Sequence, residues 1–515
     1  MGFDFSSEER RALGHRLIDR IDHYFSSLKD RPVQPPAEER TIVREPLPLP
    51  ELGDDAGRIL DELCREMIDK GFHIPAANYF GLMNPTPTYM AVLAEALVSA
   101  LNPQLASLAR SQFASALEAE TIGWIASRFG WHKPNPSETN TDAALQPGTR
   151  QQTPLRPQAP VCDGTFTSGG NEANFTALAL AISHRFPNAI EDGIASIGAR
   201  PVFYASAESH HSLLKAAGLL GLGRKALRRV PVNSRLHLDT ARLIMQIEAD
   251  YACGFVPFCI VATAGTTSSG AIDDIPALAA IAERYGLWLH VDGAYGAAAA
   301  FSDRYRNLLA GIEEADSITV DPHKWLSMPF AAGIILTRHP AMLERTFAVA
   351  PPYMPNMPRP AMIDNFKVSA QWSRRMNSLK LWLTLRVHGR RAYEEMIERQ
   401  MQLAEQMYEW LERSPYFEPT APLTLPILNF RLRGIEEENA GEAHQEFLDE
   451  FNRDGRYWIS RTQVRGQSVL RMMIISYLST AEHLAGLQTA LEAAARRCLK
   501  ARPAVASPIL QVSAD

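Results

Sequence analysis

The chain has 515 residues, of which 46% are hydrophobic and 21% are charged, and its formal net charge is −6. A chain of this length and composition can bury more than one apolar core, so we expect two or three domains. The acidic balance argues against nucleic-acid binding. The sequence contains no run of about 20 apolar residues, which is the length that a membrane-spanning helix needs. The five cysteines are scattered without metal-ligand spacing, which favours a reducing, cytoplasmic location and predicts no metal site.

The N-terminal part of the sequence predicts helices that lack a local partner. Residues 7–28 place apolar side chains at helical spacing, and Ser6 and Glu9 are spaced as a capping box. The next residues, 32–52, are rich in proline, so this helix has no core of its own nearby and a subunit interface could cover it. Two further helices are predicted at 57–70 and 89–101, with a shaped loop at 79–87 between them.

A polar, proline-rich stretch at 134–160 is interpreted as a flexible surface insertion. Beyond it, strand-like runs alternate with helical segments, and this alternation predicts a doubly wound, mostly parallel sheet. Ligands of such sheets bind beyond the carboxyl ends of the strands. From about residue 378, a long helix, two strand-like runs and a closing helix predict a smaller C-terminal α+β domain. The strand-like runs of the first region are 201–206, 257–264, 288–292, 316–320 and 331–337, and its helical segments include 172–185, 238–250 and 275–285.

Three segments that follow predicted strands carry groups suited to bind a ligand. Residues 167–174 place a Gly-Gly turn at the start of a helix, where free backbone amides favour an anion such as phosphate. His210 and His211 precede another helix, and a flat imidazole can stack on a flat heterocycle. Residues 264–270 end a further strand with hydroxyl groups that can hydrogen bond to a ring substituent. The alternatives are a structural glycine turn, a solvated histidine pair and an ordinary β-turn.

Two more strand ends carry an acid and a lysine. The strand-like run 288–292 ends at Asp292, and the run 316–320 is followed by Asp-Pro-His-Lys-Trp at 321–325. A desolvated lysine at a strand end can form a Schiff base with a carbonyl. A phosphate cradle, a stacking ring, an acid and a lysine together predict pyridoxal 5'-phosphate, bonded to Lys324 and with its ring nitrogen kept protonated by Asp292. The alternative for Asp292 alone is a helix cap.

These motifs resemble those of the group II pyridoxal-phosphate-dependent amino-acid decarboxylases, the relatives of aromatic-L-amino-acid, histidine and glutamate decarboxylases. The resemblance extends over nearly the whole chain. It implies the α/β fold of the type I aminotransferases and a homodimer with its active site at the interface. It rests on residues 290–295, 321–325, 373–375 and 379–382. The implied division is an N-terminal helical dimer-swapped segment at 1–88, a large cofactor-binding α/β domain at 89–377 and a small α+β domain at 378–515.

The resemblance also implies roles for individual residues. His211 is preferred to His210 as the ring that stacks on the cofactor, because the family's His-Ser pair precedes the Ala-Gly-Leu-Leu-Gly element found here at 217–221. Asp321 stands where many relatives have asparagine. The implied catalytic residues are Lys324, His211, Asp292 and His323. The implied cofactor-binding residues are Gly170, Asn171, His211, Thr267, Asp292, Ala294, Asp321, His323 and Lys324, and the implied substrate-binding residues are Tyr79, Phe80 and Arg471.

The implied reaction is decarboxylation of an L-amino acid to its amine. The apolar residues Tyr79, Phe80, Leu82 and Met83 favour an aromatic substrate, and glutamate or a diamino acid is the alternative. In relatives, a loop tyrosine protonates the substrate carbon after carbon dioxide leaves, and phenylalanine at that position is associated with an aldehyde product. The matching region here, 363–367, shows Phe366, and the nearest tyrosine is Tyr353. An aldehyde-forming enzyme, a transaminase and a catalytically silent relative are the remaining alternatives.

Overall fold

The computed structural model describes residues 4–40, 48–132, 162–349 and 363–501. The predicted insertion at 134–160 and Tyr353 lie outside this part of the chain. Among the helices described, none combines the length and the apolar character that crossing a membrane requires.

The larger sheet is built from runs of apolar and β-branched residues that are buried on both faces, as expected for a sheet covered by helices on both sides. In the described residues it has seven strands in the order β1-β7-β6-β5-β4-β2-β3. β7 runs antiparallel to both of its neighbours, and the other pairs are parallel. The strands are β1 Asp163–Thr167, β2 Arg200–Ser206, β3 Leu227–Val230, β4 Phe255–Thr263, β5 Trp288–Asp292, β6 Ser317–Val320 and β7 Gly333–Thr337.

The helices begin where the sequence supplies caps. Ser6 and Glu9 form the predicted capping box of α1, and Asp55, Asp239 and Asp274 accept backbone N–H groups at the starts of α2, α8 and α9. The helices are α1 Ser7–Ser27, α2 Ala56–Asp69, α3 Tyr89–Leu101, α4 Leu108–Ser127, α5 Gly170–Arg185, α6 Ala189–Asp192, α7 Ser212–Leu219, α8 Thr240–Ala252, α9 Ile275–Tyr285, α10 Met342–Phe347, α11 Ser378–Arg413, α12 Glu437–Phe451 and α13 Ala481–Ala501.

A second, antiparallel sheet has its own apolar core. Its described strands follow the order β10-β11-β9-β8, and aromatic side chains such as Phe417, Phe430 and Phe447 pack together in this core. An early segment of the chain joins it, because the backbone N–H of Phe80 donates to Trp458 O and the carbonyl of Phe80 accepts from Met473 N. The strands are β8 Phe417–Pro419, β9 Ile427–Leu432, β10 Ser460–Val464 and β11 Gln467–Met473.

The N-terminal helices pack weakly on the rest of the described chain. None of the residues of α1 is buried, although Leu17 and Ile18 are large and apolar. On α2, a stripe of exposed apolar side chains at helical spacing consists of Ile59, Leu63 and Met67. The two helices contact each other through ion pairs such as that of Arg20 with Asp61. The exposed apolar side chains named above remain uncovered in a single chain.

Candidate active site

A cavity of about 370 Å³ lies at the edge of the larger sheet where β1, β2, β4, β5 and β6 end. Eight of the predicted site residues line it, which are Gly170, Asn171, Thr267, Asp292, Ala294, Asp321, His323 and Lys324. The walls also contain residues that were not among the predicted site residues, which are Ser168, Gly169, Asn174, His210, Thr263, Gly265, Tyr295 and Phe330. Parallel topology therefore gathers residues from distant parts of the sequence at one edge.

The turn between β1 and α5 requires glycine at two positions. Gly169 has a φ of +150°, and a Cβ there would lie 2.8 Å from Cε1 of His323. A Cβ on Gly170 would lie 2.7 Å from Oδ2 of Asp321. This close approach places the N-terminus of α5 against the Asp321–Lys324 segment, and the first N–H groups of a helix have no partner within the helix. The turn is therefore suited to hold a phosphate group beside the lysine.

Lys324 is held by a buried carboxylate three residues earlier. Its Nζ lies 3.1 Å from Oδ2 of Asp321, and Nε2 of His323 lies 3.6 Å from the same oxygen. Burial lowers the pKa of His323 despite the opposing charge of Asp321. The Nδ1 of His323 accepts the backbone N–H of Ala332 at 3.0 Å. The imidazole is therefore favoured in its neutral form, and Lys324 is the cation that Asp321 binds.

Asp292 is oriented by two donors at the end of β5. Nδ2 of Asn174 donates to Oδ2 at 2.8 Å, and the backbone N–H of Ala294 donates to Oδ1 at 3.2 Å. The carboxylate is 5% exposed and lines the cavity. An acid in this position can interact with a ring nitrogen of a bound heterocycle.

Of the two adjacent histidines, His210 lines the cavity and His211 does not. The Nδ1 of His210 accepts the backbone N–H of Ser212 at 3.2 Å, and this turn fixes the ring just before α7 begins. Both side chains are exposed in the single chain, and His211 stands at the N-cap position of that helix. The structure therefore places His210, and not the predicted His211, in the cavity wall.

The three predicted substrate residues do not line the cavity. Phe80 is fully buried in the core of the smaller sheet, and Tyr79 stacks on Trp458 with ring centroids 5.5 Å apart. Arg471 is also buried, and its Nη1 donates to the carbonyl of Thr267 at 2.8 Å. Burial lowers the pKa of Arg471 to about 10. Arg471 thus supports a cavity residue from behind, within one chain.

The Arg-Arg and Leu-Lys-Leu-Trp motifs form supports around the cavity. Arg374 makes a buried ion pair with Glu118 at 2.7 Å and donates to the carbonyl of Phe166. Nζ of Lys380, fully buried, lies 2.7 Å from Glu95 and donates to the carbonyls of residues 329 and 331. These two carbonyls flank Phe330, which borders the cavity and packs on His323.

The residues that line the cavity fit pyridoxal phosphate. Three of them carry buried polar atoms that have no hydrogen-bond partner within the described part of the chain, namely Asp321 Oδ1, Thr263 Oγ1 and Tyr295 Oη. Buried polar atoms usually have a partner, so orphaned ones in a cavity wall indicate a polar ligand. Gly170 and Asn171 would hold the phosphate, Lys324 would bond to the aldehyde carbon, and Asp292 would lie at the ring nitrogen.

Comparison with known proteins gives consistent matches. An aromatic-L-amino-acid decarboxylase from Bacillus atrophaeus is 30% identical over 508 residues, which cover 97% of this chain and 98% of that protein. A phenylacetaldehyde synthase from Arabidopsis thaliana is 26% identical over 93% of this chain and 94% of that protein. The crystal structure of Oryza sativa TDC with PLP and tryptamine superposes with a TM-score of 0.84 at 25% identity, covering 96% of this chain and 99% of that one.

The family model described as the pyridoxal-dependent decarboxylase conserved domain matches residues 38–433. This range contains the N-terminus of α5, Asp292, Lys324 and both supporting motifs. The structural match adds the fold and a neighbour solved with the cofactor. The chain therefore belongs to the pyridoxal-dependent decarboxylase family, with pyridoxal 5'-phosphate as its cofactor.

Proposed function

We propose that this decarboxylase acts on aromatic L-amino acids and releases the amine and carbon dioxide. The observation that carries the reaction type is the match of residues 38–433 to the pyridoxal-dependent decarboxylase domain, and the convergence of the α5 N-terminus, Asp292 and Lys324 on one cavity supports the cofactor chemistry. The aromatic preference is supported by the Bacillus relative, whose name specifies aromatic amino acids and which matches nearly end to end. It is also supported by Phe330, which is 58% exposed at the cavity and offers an apolar wall.

Each side chain has a separate task in this proposal. Pyridoxal phosphate, when bound, supplies a covalent attachment for the substrate amine and a ring that accepts the electrons of the breaking carbon–carbon bond. Lys324 would hold the cofactor through its Nζ amine, and Asp321 keeps that amine beside the α5 N-terminus. Asp292 would hold a proton at the ring nitrogen, and this charge would stabilise the transition state more than the ground state.

We propose His210 as the imidazole that stacks on the ring, in place of His211. Its position in the cavity wall and its bond to Ser212 support this assignment. The cavity wall lowers the pKa of His210 by desolvation. A neutral imidazole places no positive charge beside the ring nitrogen, so it does not oppose protonation of that nitrogen.

Purified, cofactor-loaded protein should be incubated with L-tryptophan, L-tyrosine, L-phenylalanine, L-glutamate and L-2,4-diaminobutyrate. Carbon dioxide, amine, aldehyde and hydrogen peroxide should be measured together. We expect carbon dioxide and amine in equal amounts from at least one aromatic substrate. Turnover of only the acidic or the diamino acid would contradict the proposed substrate class, and a keto acid without carbon dioxide would contradict the proposed reaction.

An aldehyde-forming reaction is the second candidate, because the Arabidopsis relative is named for its aldehyde product. The residue that suggested it, Phe366, is 3% exposed, packs on Trp372 with ring centroids 4.8 Å apart and does not line the cavity. Phe366 is thus fixed by packing within its own chain, and we propose that Tyr353, the nearest tyrosine in the sequence, has the role of the relatives' tyrosine instead.

The same product assay separates these two residues. Tyr353→Phe should shift the product from amine towards aldehyde and peroxide, because the variant lacks the hydroxyl proposed to return a proton to the substrate carbon. Phe366→Leu, a matched change within an apolar packing site, should leave the product ratio unchanged. Wild-type protein that releases aldehyde and peroxide in place of amine would overturn the proposed product.

We also propose a homodimer, a cytoplasmic location and the division of the chain at residues 88 and 377. The uncovered apolar faces of α1 and α2 support the dimer. The scattered cysteines support a reducing compartment. The two sheets with separate apolar cores support the division near residue 377, although the early segment around Phe80 packs with the smaller sheet.

A further inference from the structure

Asn174 lines the cavity and forms hydrogen bonds with four side chains. It is 1% exposed and sits on α5, one helical turn after Gly170. Its Nδ2 donates to Asp292 Oδ2 at 2.8 Å and to Ser212 Oγ at 2.9 Å. Its Oδ1 accepts from Thr319 Oγ1 at 2.9 Å and lies 3.1 Å from His290 Nε2. These four bonds use both donors and both lone pairs of the amide.

The bond to Asp292 fixes the direction of every other bond in this group. A carboxylate needs a donor, so Nδ2 faces Asp292 and Oδ1 faces His290. His290 must then donate from Nε2, and the Nδ1 of the neutral ring accepts from Ser317 Oγ at 2.9 Å, with the Ser317 carbonyl 3.2 Å from the same nitrogen. Ser317 Oγ in turn accepts from Trp288 Nε1 at 2.9 Å. In this series of hydrogen bonds each group therefore donates to the next, from Trp288 through Ser317, His290 and Asn174 to Asp292.

This arrangement leaves the charge of Asp292 directed at the cavity. Burial lowers the pKa of His290 to about 4, so the ring is neutral near neutral pH although it lies close to the carboxylate. A protonated His290 would compete with a ligand for that negative charge. The neutral hydrogen-bonded series gives Asp292 a hydrogen bond without placing a positive charge beside it.

Asn174 also connects Asp292 with the proposed stacking histidine. Ser212 Oγ accepts from Asn174, and the backbone N–H of Ser212 donates to His210 Nδ1. One buried amide on α5 thereby links the end of β5 to the start of α7. Neither His210 nor Asp292 can shift without breaking a bond in this group.

We propose that Asn174 is a positioning residue that aims the carboxylate of Asp292 at the ring nitrogen of the cofactor and, through Ser212, holds His210 against the ring. This inference rests on the proposed placement of the cofactor. Loss of Asn174 should therefore weaken the binding of a cofactor that has the ring nitrogen more than the binding of a cofactor that lacks it.

The test compares two cofactors on each variant. Dissociation constants of the apoprotein should be measured by equilibrium dialysis for pyridoxal phosphate and for its deaza analogue, which has a carbon in place of the ring nitrogen. Asn174→Leu should weaken binding of pyridoxal phosphate by about 10- to 100-fold, the usual cost of removing a partner behind a binding group, and should weaken the analogue much less. Ser183→Ala, which changes another fully buried polar residue of α5, is the matched control and should alter neither constant.

Equal weakening of both cofactors by Asn174→Leu would show a purely structural role and overturn the inference. If that variant does not fold, Thr319→Val decides, because it removes one donor to Asn174 and preserves the side-chain shape. It should show the same selectivity in smaller measure, and unchanged or equally changed constants would contradict the inference. Asp292→Asn separates the two proposals. If Asp292→Asn changes the dissociation constants of both cofactors equally, the proposed placement of the ring nitrogen is wrong. If Asp292→Asn weakens pyridoxal phosphate selectively and the variants of Asn174 and Thr319 do not, only the role of Asn174 is wrong.

Discussion

Asp273 is a buried carboxyl that does not line the cavity but holds the backbone of a residue that does. One oxygen accepts the backbone N–H of Leu238 at 2.6 Å, and the other accepts that of Thr263, a cavity residue, at 2.8 Å. Burial raises the pKa of Asp273 to about 6, although the two N–H groups oppose this shift. A side chain that fastens the end of β4 is therefore partly protonated in mildly acidic solution.

Asp273→Asn should destabilise the protein by about 1–3 kcal/mol, because its amide nitrogen must face one of the two backbone N–H groups. The pKa of Asp273 is higher in the folded chain than its ordinary value of 3.8, so wild-type stability falls as the pH rises through about 6. Between pH 5 and pH 7.5 the wild type should therefore lose about 1.4 kcal/mol relative to the variant, the equivalent of one pKa unit. Urea unfolding at both pH values measures this.

The exposed Glu283→Gln on α9 serves as the control for Asp273→Asn and should leave the unfolding midpoints unchanged at both pH values. A deficit of Asp273→Asn that stays constant or grows as the pH rises would contradict the raised pKa.

The positions of candidate site residues could be predicted from the sequence where a strand end carries the side chain directly. Asp292 and Lys324 follow apolar runs, and parallel strands bring such ends to one edge. The choice between His210 and His211 depends on a turn closed by Ser212, which no spacing shows. Asn174 could have been found, because it lies four residues after Gly170 and hence on the same face of α5.

At the scale of elements, the segment after Lys324 depends on α11 for its position. Lys380 on α11 donates to the carbonyls on either side of Phe330, and it pairs with Glu95 of α3. Arg375 also pairs with Glu95, but its side chain is 47% exposed. A buried charge bound to backbone carbonyls fixes a loop more strongly than an exposed ion pair does.

Lys380→Met should destabilise the protein by about 2–4 kcal/mol and weaken cofactor binding, since it leaves two carbonyls and part of Glu95 without a buried donor. Arg375→Gln removes a charge from the same glutamate at an exposed position and should cost less than about 1 kcal/mol. Thermal unfolding of the apoproteins and dialysis with pyridoxal phosphate measure both effects. Similar losses in the two variants would contradict a special role for the buried lysine.

The alternation of strands and helices predicted the larger sheet because its strands are short, apolar and punctuated by turns. The run at 331–337 was predicted as a strand, but its reversed direction in β7 is set by its neighbours. The helix α4 was not predicted from the sequence. Small and apolar residues lie on most of its sides, so its sequence shows no distinct apolar face. The placement of Phe80 depends on Trp458, almost four hundred residues later, and local periodicity carries no such information.

At the scale of the molecule, the exposed stripe of α2 bears on the proposed dimer. Ile59, Leu63 and Met67 are 42%, 45% and 67% exposed and follow one another at every fourth residue. Large contiguous apolar patches on protein surfaces mark interaction sites, and this stripe is a candidate for part of such a patch. A dimer interface that buries α1 and α2 would explain why so little of these helices is covered within one chain.

The double variant Leu63→Glu/Met67→Glu should therefore shift the protein from dimer to monomer and lower its affinity for pyridoxal phosphate. Sedimentation velocity and cofactor titration measure the two effects. Arg65→Glu, on the opposite side of α2, adds a negative charge without touching the stripe and should remain dimeric. Wild-type protein that sediments as a monomer, or a double variant that stays dimeric, would contradict the proposed interface.

The reversed strand β7 has a consequence for the order in which the chain matures. Among the described strands, β1 pairs with β7 alone, which is separated from it by more than 160 residues of sequence. Until residue 337 has left the ribosome, β1 has no partner strand in the described sheet. Contacts between such distant segments form slowly, so we expect capture of the cofactor to be a late event, after most of the chain has been synthesised.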